Sequence, residues 1–146
     1  MSGSPVAGGR RSRGFGALLV AVYAVFALSA SARAGYQVVT ALGDAPLAYL
    51  LSAFAAVVYI VATVALARRG PTAWLVAVVA VSVELVGVVG VGTLTVVDAA
   101  DFPDATVWSD YGSGYGYVPL VLPVVGLLWL LRTGRGRRAE AGRASR

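Results

Sequence analysis

The chain has 146 residues, of which 58% are apolar and 13% are charged. Soluble globular proteins average about 45–50% apolar and about 25% charged residues, so this composition excludes an ordinary soluble fold. The formal net charge is +5, every basic residue is Arg, and His and Cys are both absent, which excludes disulfides, thiol catalysis and metal sites built from Cys or His.

Four apolar stretches lie between the charged residues, and each approaches the length of about 20 residues that a membrane helix needs. The sequence therefore predicts an all-α protein, a four-helix transmembrane bundle over residues 14–132. The four predicted spans are about 14–34, 46–67, 72–97 and 115–132. The outer loop, 98–114, precedes the last span.

The two ends of the chain differ from this domain. Residues 1–13 and 133–146 are rich in Gly, Ser and Arg and lack apolar periodicity, so we predict a disordered basic arm and a disordered Arg-rich tail. A basic tail beside an anionic leaflet is attracted to lipid. Because the membrane topology already accounts for this charge, no nucleic-acid partner is expected.

The placement of Arg predicts the orientation. Eleven of the twelve Arg lie in the N-terminal arm, the turn between spans two and three, and the tail, which leaves Arg33 alone on the opposite side. Positively charged segments stay in the cytoplasm. We therefore predict a multi-pass protein of the cell membrane with cytoplasmic N- and C-termini. Cleavage of the first span after Ala34, as in an export signal, is the disfavoured alternative because its apolar run is longer than a signal core.

The third span is interrupted by one charged residue, Glu84. A charge at the bilayer centre costs about 2.5–3.5 kcal/mol, so this side chain is expected to face the protein interior. Tyr23 and Tyr59 reach the same depth when about 1.5 Å is counted per helical residue. We predict an intramembrane polar cluster of Glu84, Tyr59 and Tyr23. The carboxyl either fixes helix register through hydrogen bonds, which is favoured, or carries a proton or cation.

Three further candidates, Arg33, Asp110 and Tyr115, are predicted on the outer face. Arg33 is expected to reach toward the headgroups or to pair with an Asp of the outer loop. Tyr115 and Trp108 have the composition of an interfacial aromatic belt.

The junction of the outer loop and the fourth span contains the tripeptide Gly114-Tyr115-Gly116, which is found in potassium filters. The Thr-Val that precedes it in a filter strand is missing, because Gly112 and Ser113 occupy those positions. The Asp residues of this loop lack the ordered spacing of a calcium loop. No metal site or cofactor is therefore predicted.

The stretches "LLVAVYAVFALSASARAGYQ", "SVELVGVVGVGTLTVVD", "DATVWS" and "GYGYVPLVLPVVGL" resemble a family of small four-span integral membrane proteins of actinobacteria. The resemblance covers roughly residues 17–132. It implies the four-span topology and an actinobacterial host, and it implies no particular reaction.

The sequence contains no catalytic arrangement, because it has no His or Cys and no paired carboxylates at membrane depth. We predict a non-enzymatic integral membrane protein that is a structural or accessory component of a membrane or cell-envelope assembly. Its expected partners are the lipid bilayer and either another membrane protein or a second copy of itself. The alternative is a small homo-oligomeric proton-coupled transporter or flippase that uses Glu84.

Overall fold

A computed structural model of the protein describes residues 6–102 and 104–146. Within these residues there are no strands, and four helices are long and apolar enough to cross a membrane. The predicted all-α, four-helix bundle is confirmed, and the chain is a multi-pass membrane protein. The helices are α1 (Val6–Ala41), α2 (Pro46–Ala67), α3 (Pro71–Val97) and α4 (Val118–Ala144).

Proline and glycine define the tight turn between α2 and α3. The N–H of Arg68 donates to the carbonyls of Val64 and Ala65, which ends α2. Gly70 has a φ of +111°, a region that glycine enters without steric cost. Pro71 then occupies the first turn of α3, where its missing N–H breaks no intrahelical bond. The two helices therefore form an antiparallel hairpin.

Small residues hold the helices together. Consecutive helices pack side by side, and their shared faces consist mainly of buried alanines. Such faces let backbones approach closely where lipid provides no hydrophobic force between helices. The outward faces carry Val, Leu and Phe side chains instead. The buried alanines of the first three helices are Ala27, Ala30, Ala34, Ala48, Ala55, Ala56, Ala62, Ala65, Ala77 and Ala80.

The bundle has two chemically different ends. The α1–α2 turn and the connection between α3 and α4 form the Asp-rich end, whereas the start of α1, the α2–α3 turn and the end of α4 form the Arg-rich end. At the Arg-rich end α1 begins at Val6 and α4 continues to Ala144, where the composition predicts disorder. Arg and Ala are good helix formers, and an existing helix extends at little cost. Residues 1–5 of the predicted arm lie outside the described part of the chain.

The connection between α3 and α4 contains two 3₁₀ segments, Ala99–Asp101 and Ser109–Tyr115. Left-handed backbone interrupts the second one, with φ values of 48° at Asp110 and 60° at Tyr111. Gly116 and Tyr117 are also left-handed, so α4 begins at Val118 rather than near the predicted residue 115. Pro103 lies outside the described residues.

Candidate functional site

Glu84 lies on the buried face of α3 and is fully enclosed. The hydroxyl of Tyr23, on α1, donates a hydrogen bond of 2.6 Å to its Oε2. The other carboxyl oxygen, Oε1, is buried without a hydrogen-bond partner among the described residues. Counting the helical rise along the sequence placed Tyr23 and Glu84 at the same depth. In the structure these two side chains, 61 positions apart in the chain, are hydrogen-bonded to each other.

Tyr59, on α2, is the third predicted member and is also fully buried. Its ring centroid lies 6.2 Å from that of Tyr23. Its hydroxyl accepts a hydrogen bond of 3.2 Å from the indole Nε1 of Trp108. The structure therefore brings Tyr23, Tyr59 and Glu84 together and adds Trp108 to them. We call these four residues the central cluster.

Trp108 is the member that sequence reasoning misplaced. The sequence predicts Trp108 in an interfacial aromatic belt. In the structure its side chain is only 1% exposed and is inserted into the bundle. The ring lies against the backbone of α3 at Gly87, where an added Cβ would come within 2.6 Å of it. Phe54 meets the ring edge-on at 6.1 Å between centroids. One signal for this burial is present in the sequence. Gly87 lies one turn from Glu84 and leaves room for a large ring.

The residues around Trp108 direct it inward through a local turn. The hydroxyl of Ser109 accepts a hydrogen bond of 2.8 Å from the N–H of Thr106. The hydroxyl of Thr106 accepts one of 3.1 Å from the N–H of Trp108. Ser and Thr side chains commonly satisfy backbone donors in turns in this way. The "TVWS" tetrapeptide therefore closes on itself, and its indole projects toward α2 and α3.

Arg33 and Tyr115 meet at the Asp-rich end. The guanidinium of Arg33 donates to the Tyr115 hydroxyl at 3.0 Å and to the carbonyl of Ala105 at 2.9 Å. Its hydrogen-bond partners among the described residues are thus a hydroxyl and a carbonyl, and none of them is an Asp side chain. Phe26 lies between the two sites, 5.5 Å from the ring of Tyr59 and 5.8 Å from that of Tyr115. A continuous row of aromatic rings therefore leads from the central cluster to this end.

Asp110 does not join that group through its side chain, which is exposed. Its backbone N–H donates to the hydroxyl of Thr95 at 2.9 Å and so ties the connection to α3. Beside it, the ring of Tyr111 covers Gly92, where an added Cβ would come within 2.5 Å. Tyr49, on α2, donates a hydrogen bond to Asp104. The connection between α3 and α4 is therefore fastened to all of the first three helices.

The Gly114-Tyr115-Gly116 tripeptide belongs to this fastened connection. It ends a 3₁₀ segment, and its last residue is left-handed with a φ of 63°. A potassium filter needs an extended strand whose carbonyls line one axis. The backbone here has a different shape, and the Tyr115 side chain is directed at Phe26 and Arg33.

The described residues include no group of three or more His, Cys, Asp or Glu side chains that could hold a metal ion. The chemistry available at the central cluster is hydrogen bonding among one carboxyl, two phenols and one indole. No family model, curated protein or solved structure matches this chain.

Proposed function

We propose that the protein resides in the cell membrane with both termini in the cytoplasm. The support is the charge asymmetry of the bundle, because both termini and the α2–α3 turn lie at the Arg-rich end. Positively charged segments are retained on the cytoplasmic side during insertion. The Asp-rich end would then face outward.

A pair of single-cysteine variants tests this orientation, since the chain has no Cys of its own. Ser113 and Ser145 are exposed at opposite ends of the bundle. We expect a membrane-impermeant maleimide to label Ser113→Cys on intact cells and Ser145→Cys only after lysis. The reverse pattern would place the termini outside and refute the proposed orientation.

We infer that the protein is a non-enzymatic structural or accessory component of a membrane or cell-envelope assembly. The observation that carries this proposal is the buried central cluster, in which Tyr23 donates to Glu84 and Trp108 donates to Tyr59, so that three helices and the α3–α4 connection meet there. Glu84 has no solvent-exposed surface, and Trp108 fills the bundle on the side of the Asp-rich end.

Because the small-residue faces are used inside the chain, a protein partner would contact the outward Val and Leu faces or the Asp-rich end. The test is purification of the tagged full-length chain in mild detergent. We expect a stoichiometric heteromeric partner that in turn recovers this chain when the partner carries the tag. A lone homodimer that supports proton-dependent uptake in liposomes would contradict the accessory role.

The second candidate is a small homo-oligomeric proton-coupled transporter or flippase that uses Glu84. The observation in its favour is the unpartnered Oε1 of this carboxyl, an atom that could take up and release a proton. A charged group at membrane depth costs about 2.5–3.5 kcal/mol. A hydrogen bond between membrane helices contributes only about 0.6 kcal/mol on average and at most about 1.7 kcal/mol. The bond from Tyr23 therefore does not by itself account for an ionised carboxyl at this position.

Glu84→Gln separates the two candidates. The amide oxygen still accepts the Tyr23 hydrogen bond, so we expect the variant to assemble with a stability change below about 1.7 kcal/mol. Under the accessory role the variant retains its partner and complements a deletion strain. Loss of complementation with normal assembly, and normal complementation by Tyr23→Phe, would instead support proton coupling through Glu84.

A further inference from the structure

A cavity of about 880 Å³ opens at the Arg-rich end, between the start of α1, the α2–α3 turn and α4. We call it the basal cavity. It extends inward from Arg13 to Val20 on α1 and from Gly70 to Ala77 on α3. Seven helical residues correspond to a depth of about 10 Å, which is comparable to the roughly 5–10 Å to which interfacial helices are buried at the boundary between headgroups and acyl chains. Its lining does not include Glu84, so it is separate from the central cluster.

The rim of the basal cavity is positively charged. Arg13, Arg68 and Arg69 line it, opposed by one carboxylate, that of Glu140. The first turn of α3 starts in the same rim, and no side chain caps it. Its free N–H groups and the positive end of the helix dipole add to the attraction for an anion.

The wall of the basal cavity contains a buried donor without a partner. Trp74 and Trp129 both line the cavity, but they differ in their hydrogen bonds. The indole of Trp74 donates to the carbonyl of Leu130 at 2.8 Å, whereas Nε1 of Trp129 is buried and has no partner among the described residues. An unsatisfied buried donor is uncommon in a native fold, and an acceptor that entered the cavity beside Trp129 would satisfy this one. Deeper in, the lining is apolar, with Val20, Ala77 and Leu130.

This combination defines the chemistry of a ligand. The rim requires an anion with several acceptor oxygens, since guanidinium groups favour phosphate and carboxylate. The apolar floor requires a hydrocarbon portion attached to that anion. The depth places the ligand where a lipid headgroup meets its acyl chains. We propose that the basal cavity binds the phosphate headgroup of an anionic phospholipid, with Arg68 and Arg69 at the phosphate and Nε1 of Trp129 as an additional donor.

Native mass spectrometry of the full-length chain in detergent tests this proposal, with phosphatidylglycerol and phosphatidylcholine as the probes. We expect one phosphatidylglycerol to be retained in preference to phosphatidylcholine. Arg68→Gln with Arg69→Gln should weaken its binding by about 30-fold, as the loss of two charges near a headgroup predicts. Trp129→Phe removes the donor together with the outer ring atoms that pack on Gly16, so it should weaken binding several-fold while the helices are retained.

The matched control is Arg143→Gln with Arg146→Gln, which removes the same charge from exposed positions outside the cavity. We expect this variant to bind phosphatidylglycerol like the unmodified chain. An equal loss in both double variants, or equal retention of the two lipids, would reduce the effect to diffuse surface attraction and overturn the proposal. Displacement of the lipid by glycerol 1-phosphate would overturn the assignment to a lipid and indicate a site for soluble phosphate esters.

Discussion

Replacing Trp108 with Ala should lower the free energy of unfolding by about 3–5 kcal/mol, the range for removing a large aromatic side chain from a packed interior. The indole is enclosed by Gly87, Phe54 and Tyr59, and its Nε1 donates to the Tyr59 hydroxyl. The variant leaves a cavity between α2 and α3 and a phenol without its donor. It should also release the α3–α4 connection from the bundle.

Unfolding in mixed detergent micelles, followed by far-ultraviolet circular dichroism, measures this loss. Trp108→Phe retains one aromatic ring but loses the hydrogen bond and the outer ring atoms that lie against Gly87, so it should cost less than Trp108→Ala. Tyr117→Ala is the control from the same connection, because Tyr117 is 53% exposed and should contribute little. Equal stabilities of Trp108→Ala and Tyr117→Ala would show that the indole is not docked.

Gly87→Val should destabilise the protein by about 1–3 kcal/mol, the range for overpacking a filled core. A Cβ at this position would lie 2.6–2.9 Å from three atoms of the Trp108 ring. The ring cannot withdraw freely, because Tyr59 and Phe54 lie on other sides of it. Helix propensity alone predicts the opposite sign, since Gly is among the poorest helix formers.

Gly90→Val provides the matched control, because it makes the same substitution one turn further along α3. No atom lies within 4 Å of a Cβ at Gly90, so we expect unchanged or slightly increased stability. A double-mutant cycle isolates the cause. In a Trp108→Ala background Gly87→Val should cost much less, whereas an undiminished cost would show that the clash involves something other than the indole.

The span positions were readable from the sequence because the bilayer sets the length and polarity of each helix. The predicted second span, 46–67, coincides with α2, and the predicted third span, 72–97, differs from α3 by one residue. The rise per helical residue is also fixed, so counting residues placed Tyr23 at the same depth as Glu84, and the structure joins them by a hydrogen bond. These properties depend on one helix at a time and need no knowledge of its neighbours.

The features that depend on tertiary packing were not readable in this way. By residue type Trp108 fits an interfacial belt, and only its contacts with Gly87 and Tyr59 show that it is buried instead. Similarly, five residues with positive φ, including Asp110 and Tyr111, shape the α3–α4 connection, and composition alone does not specify them. The basal cavity arises from three separate segments and leaves no pattern in any one of them.

The contact between Trp108 and Gly87 has a consequence for the order of biosynthesis. The carboxyl of Glu84 and the hydroxyl of Tyr23 belong to helices that emerge before Trp108, so their bond can form while the rest of the chain is still being made. The indole emerges only afterwards, on the segment that precedes α4. Until then the nascent three-helix intermediate has an empty groove beside Gly87. The bundle therefore reaches its final packing only after the α3–α4 connection has docked on the first three helices.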